Sequence, residues 1–188
     1  MKKIKIIYTA SYILFLICIL GSWYFENTHI LYGDLRFITL IILYSLGLIF
    51  GILSPTLFIV SCIAEKSSNR IWISVLTLIP ILWLANHSTV YYKDLFSEKA
   101  VFQSDVLWTD NFELAGEGKT VTIEYEDTEY VLQLTDFYYD LIENNPPDKS
   151  RTVYFKYILL DIYPHKYPVK IEFYKNTGII CDVQILNY

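Results

Sequence analysis

The chain has 188 residues, 54% of them hydrophobic and 19% charged, with 17 tyrosines, seven glycines and three cysteines. Its net charge of −5 is unevenly spread: residues 1–92 carry six basic and three acidic side chains, and residues 93–188 carry nine basic and seventeen acidic ones. An acidic second half argues against nucleic acid as a partner, because phosphate recognition needs a basic surface. It also disfavours docking on anionic lipid headgroups.

Three runs in the first half are long and apolar enough to cross a bilayer core, which needs about 20 residues. Residues 4–24 contain one charge, Lys5, at the end where it can snorkel. Residues 37–63 and 71–91 contain none. Trp23, Tyr24, Trp72, Tyr91 and Tyr92 flank the runs, as interfacial aromatics do. The first run resembles a signal peptide in its basic start and apolar core, but Leu20-Gly21-Ser22-Trp23 offers no small-x-small cleavage site, so an uncleaved anchor is expected.

The connections predict an orientation. Lys2, Lys3 and Lys5 precede the first span and Lys66 and Arg70 lie between the second and third, whereas Glu26, Asp34 and a single Arg36 lie between the first and second. The positive-inside rule then puts the N-terminus in the cytoplasm and everything after Tyr92 outside a plasma membrane that the chain crosses several times.

In the second span Gly47 and Gly51, with Ser54 beyond, form a small-residue stripe for close helix packing. The stripe suits either this chain's own helices or a second copy, so a homo-oligomer is allowed. Pro55 and Pro80 are expected to bend their helices. No Asp, Glu, Lys or Arg falls at mid-membrane depth, which argues against ion or proton conduction.

Residues 93–104 read as an amphipathic stretch continuing the third helix, and Trp108 to Leu114 is ambiguous. From Thr120 the alternation of Val121, Ile123 and Tyr125 with polar residues predicts a strand. A turn near Asp127-Thr128 leads to a second strand through Tyr130, Leu132 and Leu134. Thr135 is placed to cap a short helix ending before Asn144-Asn145-Pro146-Pro147. A strand over 152–163, a loop over 164–168, a strand through Val169, Ile171 and Phe173, a turn at Asn176-Thr177-Gly178 and a last strand through Ile179, Cys181, Val183 and Ile185 follow. The expected architecture is a membrane α-helical region of three transmembrane helices (1–92) and a small extracytoplasmic α+β domain with a mostly antiparallel sheet (93–188).

Little in the chain points to chemistry. Cys181 is the one cysteine of the polar half and reads as a small buried hydrophobe in a strand. His29, His87, Glu26, Asp34 and Asp94 all fall near the outer membrane face, yet their spacing follows no ligand signature. Glu124, Glu126, Asp127 and Glu129 cluster at the first hairpin without the glycine turn of a calcium loop, and read as a solvated tip. His165, between prolines, reads as exposed loop. No nucleophile elbow, metalloprotease helix or phosphate loop is present. No catalytic residue, cofactor or metal is therefore expected.

Tyrosine, with its apolar body and polar tip, is the conspicuous residue of the domain. Tyr154, in a strand read as central or as held for a partner, and Tyr174 are the candidate interaction surface. The chain reads as a non-enzymatic membrane-anchored binding protein, in its specific form an immunity or exclusion factor, with the lipid bilayer and a protein or peptide at the outer face as partners. The alternatives are an accessory subunit of a larger envelope complex and an envelope enzyme.

Overall fold

The computed structural model describes residues 2–28, 30–65, 72–108, 112–115, 118–134 and 166–185. The chain divides into two compact units, one of Met1–Thr28 and Arg36–Lys93, the other of His29–Leu35 and Asp94–Tyr188. Residues 29–35, read from sequence as part of the membrane region, thus belong with the second unit.

The first unit is built from three helices: α1 (Lys2–Asn27), α2 (Gly33–Ala64) and α3 (Trp72–Leu95). Helices α1 and α2 are long and apolar enough to cross a membrane. Helix α3 carries a polar Asn86-His87-Ser88 stretch and ends on Lys93-Asp94-Leu95. Helices α2 and α3 run through Pro55 and Pro80 respectively.

The pairing of residues shows that neighbours are antiparallel. Between α1 and α2, Lys5 pairs with Glu65, Tyr8 packs edge-on against Phe58 at 5.4 Å, and Glu26 meets Tyr44. Between α2 and α3, Gly51 faces Ile81, Gly47 faces Leu84, and Phe37 stacks on Tyr91.

The bundle is apolar outside and partly polar within. Ile13, Ile17 and Leu20 on α1, Ile42, Ile49 and Ile52 on α2, and Leu76, Ile79 and Leu82 on α3 are exposed. Ser11, Ser22, Ser54, Ser61, Ser74 and Ser88 are buried. Ser22 and Ser88 hydroxyls donate to the carbonyls of Ile19 and Ala85 on their own helices. This is the reverse of a water-soluble bundle, in which the apolar stripe faces inward. Small polar residues inside let helices approach closely where lipid, not water, surrounds them.

The second unit contains two three-stranded antiparallel sheets among the described residues. Numbering the strands β1 (Ala100–Trp108), β2 (Phe112–Ala115), β3 (Gly118–Tyr125), β4 (Thr128–Leu134), β5 (Lys166–Phe173) and β6 (Ile180–Ile185), the orders are β1-β5-β6 and β2-β3-β4. They share one core of Ala100, Ile123, Leu132, Val169, Ile171, Phe173, Ile180 and Val183. Phe173 sits edge-on between Tyr125 and Tyr130, with ring centroids at 5.9 and 5.3 Å.

Three expectations need correction. The helix stops at Leu95, and residues 100–108 form β1, because Ala100 and its neighbours find backbone partners on β5, with Ala100 opposite Phe173. Strand β5 begins at Lys166, so it runs through Pro168, which the sequence places in a loop. Proline cannot donate to a ladder. The pairing accommodates it with a bulge, in which Asp105 and Val106 together oppose Pro168 between the pairs Ser104–Val169 and Leu107–Tyr167.

Strand β6 does not keep the alternation of Ile179, Cys181 and Val183. Glu172 pairs with Asp182 but Phe173 pairs with Ile180, leaving Cys181 as an extra residue. One inserted residue moves the side chains beyond it to the other face, so Ile180 and Val183 enter the core together. The expected helix over 135–142, the strand over 152–163 and the loop residue His165 lie outside the described residues.

Both hairpin turns rely on left-handed backbone. Glu126 and Asp127 take φ of 51° and 58° in the two-residue β3–β4 loop, as in a type I′ turn. Gly178 takes φ of 68°, its N–H donates to the Tyr174 carbonyl at 2.9 Å, and the Tyr174 N–H donates to the Ile179 carbonyl at 3.0 Å. A Cβ at Gly178 would lie 3.1 Å from the Val131 carbonyl oxygen. Gly178→Ala should therefore destabilise the second unit by about 1–3 kcal/mol, measurable as a lowered midpoint in thermal unfolding of the detergent-solubilised chain. Gly178→Asn, which tolerates positive φ better, should lose less through the backbone.

Candidate functional site

The most concentrated group of polar side chains in the first unit surrounds Glu26, in the last turn of α1. Tyr44 from α2 and Tyr91 from α3 both donate their hydroxyls to Glu26 Oε1 at 2.5 Å. His87 Nε2 lies 3.1 and 3.3 Å from the two carboxylate oxygens. Arg36 Nη2 donates to the Glu26 backbone carbonyl at 2.8 Å. One carboxylate thus gathers donors from both other helices.

Helical spacing explains how α3 contributes twice. His87 and Tyr91 are four residues apart and so share a face. Trp83, four residues before His87, stacks on the imidazole with centroids 5.2 Å apart and planes 9° apart. The Tyr44 ring packs on Tyr91 at 4.9 Å and edge-on to His87 at 5.9 Å. Tyr44 and Arg36 are buried, whereas 44% of the His87 side chain is exposed. A carboxylate saturated by phenol and imidazole donors is an acceptor hub that locks three helices. His87 is its most exposed member.

The glycine stripe lies elsewhere in the same bundle. A Cβ on Gly47 would come within 2.8 Å of Leu84 Cδ2 and 3.3 Å of Cys18 Cβ. One on Gly51 would lie 2.9 Å from Phe15 Cε2 and 3.1 Å from Ile81 Cγ1. Ser54 is buried as well. The stripe is therefore filled by α1 and α3 of this chain. Gly51→Leu should cost the bundle about 1–3 kcal/mol by overpacking, seen as a lowered unfolding midpoint in detergent, while Leu46→Ala on the exposed side of α2 should change little.

In the second unit, Asp34, Lys99, Glu172, Tyr174 and Cys181 form another cluster. Lys99 Nζ lies 2.8 Å from Asp34 and 3.4 Å from Glu172. The Tyr174 hydroxyl donates to Asp34 Oδ1 at 3.1 Å, and Lys99 sits over its ring at 5.4 Å. Desolvation opposes the charge on Lys99, but its bond to Asp34 and the neighbouring acids outweigh this and raise its pKa.

Burial is the main force pushing the Cys181 thiol up to about 12, the Asp34 carboxylate adding to it and Lys99 opposing it. The sequence shows no basic neighbour for Cys181, yet the fold supplies Lys99. Burial still wins, and the thiol stays protonated. Alkylation of Cys181 by iodoacetamide at pH 8 should be on the order of a thousandfold slower than that of a free thiol, since only the thiolate reacts.

The two tyrosines of the candidate interaction surface have different outcomes. Tyr174 is buried, 8% exposed, and engaged with Asp34. Tyr154 lies outside the described residues. Asp94, read as an interfacial acid, is also buried and receives three hydrogen bonds from the β5–β6 turn: the Asn176 N–H at 2.9 Å, the Asn176 side-chain amide at 2.7 Å and the Thr177 N–H at 2.7 Å. The acidic hairpin is exposed at Glu124, Glu126, Asp127 and Glu129. Glu126 pairs with Lys175 at 2.7 Å, a bond that lowers its pKa and raises that of Lys175.

Among the described residues no three His, Cys, Asp or Glu side chains converge in a manner that could hold a metal ion. Comparison with protein-family models, with curated proteins and with solved structures finds no match to this chain.

Proposed function

We propose that the chain is a non-enzymatic membrane protein, in which α1, α2 and α3 all span the bilayer and hold an acidic binding domain outside it. The observation that carries this reading is the inverted bundle, with isoleucine and leucine outward and serine inward. Exposing that much aliphatic surface to water would be costly, at about 25 cal/mol per Å² of apolar surface. The polar groups of the bundle support an anchor rather than a conduit, since Glu26, Tyr44, Tyr91 and His87 bond to one another near one end. With α1 and α2 antiparallel, the N-terminal lysines and the end of α2 share the opposite end, which is the cytoplasmic one by charge.

The binding face of this reading is the outward side of the β3–β4 hairpin. Glu124 and Glu129 face each other across the register, and Val131, 61% exposed, lies two residues on. An apolar residue beside carboxylates suits a basic, partly apolar protein or peptide. In its specific form the partner is a peptide toxin and the chain an immunity or exclusion factor.

Photo-crosslinkers at Glu124 and Val131 in intact producing cells test the binding. Recovery of one partner from both sites, lost on Val131→Lys, is expected. Capture from neither, with a membrane-impermeant thiol reagent labelling Gln184→Cys from outside, would leave the anchor without its binding role. For the specific form, deleting the gene should sensitise cells to a co-encoded toxin; unchanged sensitivity would sink it.

A further inference from the structure

We infer that Ile30 before α2 and Leu35 in its first turn, with Leu95 at the end of α3 and Phe96 just after it, form an apolar collar that seats in the headgroup layer of a bilayer, zwitterionic lipid being sufficient. The inference rests on the membrane reading proposed above and gives it a depth. These four side chains belong to the second unit, yet they are 57%, 61%, 48% and 86% exposed. They come from two segments distant in sequence, and Asp34 and Lys99, close to each pair, are bonded at 2.8 Å.

Chain continuity names the occupant. Leu35 lies two residues before the apolar run that starts at Phe37, and Phe96 five residues beyond Tyr91, where the last run ends. At 1.5 Å per helical residue these offsets amount to about 3 and 7 Å. The headgroup layer on each side of the hydrocarbon core is about 5–7 Å thick. Apolar and aromatic side chains at that distance from a span end therefore meet lipid before they meet bulk water, and interfacial burial scales with their apolar area.

Charge decides which lipid. Lys99 is held by Asp34 and Glu172, and the exposed Lys93, two residues before Leu95, is offset by the exposed Glu98, two residues after Phe96, so no net positive charge faces the lipid. Nothing there rewards an anionic headgroup, and the seat depends on apolar contact alone.

Spin labels at single cysteines test this in the full chain reconstituted in phosphatidylcholine vesicles, with the native cysteines replaced. Positions 35, 96, 184 and 49 are compared by collision with oxygen, which concentrates in lipid, and with a water-soluble nickel complex. Labels at 35 and 96 should give oxygen-to-nickel ratios between the lipid value at 49 and the aqueous value at 184, unchanged on adding phosphatidylglycerol. Aqueous ratios at 35 and 96 with a lipid value at 49 would overturn the collar and leave the spans intact. Low collision with both reagents at 96 would mean protein covers it, and would also overturn the collar. An aqueous value at 49 would remove the membrane reading itself. If the cysteine-free chain does not fold, a ketone-bearing residue in the native background carries the label to the same positions.

Discussion

Asp94→Ala should remove the β5–β6 turn from the folded second unit, at a cost of about 3–5 kcal/mol. Three donors converge on this one carboxylate, two of them backbone N–H groups, and the side chain is 1% exposed. Hydrogen bonds to a charged group contribute about 1.5–3 kcal/mol each, and a buried N–H left without an acceptor also bears its desolvation cost. Against a typical domain stability of about 5–15 kcal/mol, the loss is large. Amide hydrogen exchange read at Asn176 and Thr177 should accelerate first, with the thermal midpoint falling in step. Asp94→Asn keeps one accepting oxygen but turns an NH2 towards a donor, so it should lie between wild type and alanine. Asp182→Ala, whose carboxylate contacts the exposed Gln184 amide, is the control and should change little. A loss below about 1 kcal/mol in the alanine variant would mean that water replaces the carboxylate in the turn.

Asp94 shows where sequence reading stops. Charge-free runs made three helices legible, because hydropathy is a property of consecutive residues. The partners of Asp94 lie 82 and 83 residues further on, and no local pattern announces them. Strand β1 is hidden from a local reading for the same reason. Ala100-Val101-Phe102 is too short to separate a strand from the tail of an amphipathic helix, and the ladder with β5 decides it. The hairpin turn at Gly178 was readable, since Asn-Thr-Gly has its own turn chemistry. The bulge at Cys181 was not, because an inserted residue leaves the composition of the strand unchanged. Gly47 and Gly51 announced close packing, but which helices fill the stripe needed Phe15, Cys18, Ile81 and Leu84 in place. That occupancy bears on the second-copy reading of the stripe. Leucine there now disrupts this chain's own bundle whatever else it contacts.

Glu26→Leu should destabilise the helical unit by about 2–4 kcal/mol, less than a fully buried ion would cost because 19% of its side chain is exposed. The substitution leaves the Tyr44 and Tyr91 hydroxyls facing an apolar side chain, and Arg36 loses the nearby negative charge while keeping its bond to the Glu26 carbonyl. The cost comes from stranded donors, so removing them should restore much of it. Glu26→Leu combined with Tyr44→Phe and Tyr91→Phe should be more stable than Glu26→Leu alone, because an apolar site with no unsatisfied partner is close to neutral. Glu26→Gln, which keeps an accepting oxygen, should lose least. Unfolding in detergent, followed by tyrosine fluorescence or by resistance to a sodium dodecyl sulfate challenge, orders the four proteins. Equal stability of the leucine single and triple variants would show that the carboxylate holds the bundle through its charge beside Arg36. The sequence places Glu26 merely in the connection after the first span, since Tyr44 lies 18 residues away and Tyr91 lies 65. The one local hint was a tyrosine inside a charge-free run, an aromatic whose hydroxyl needs a partner wherever water is excluded.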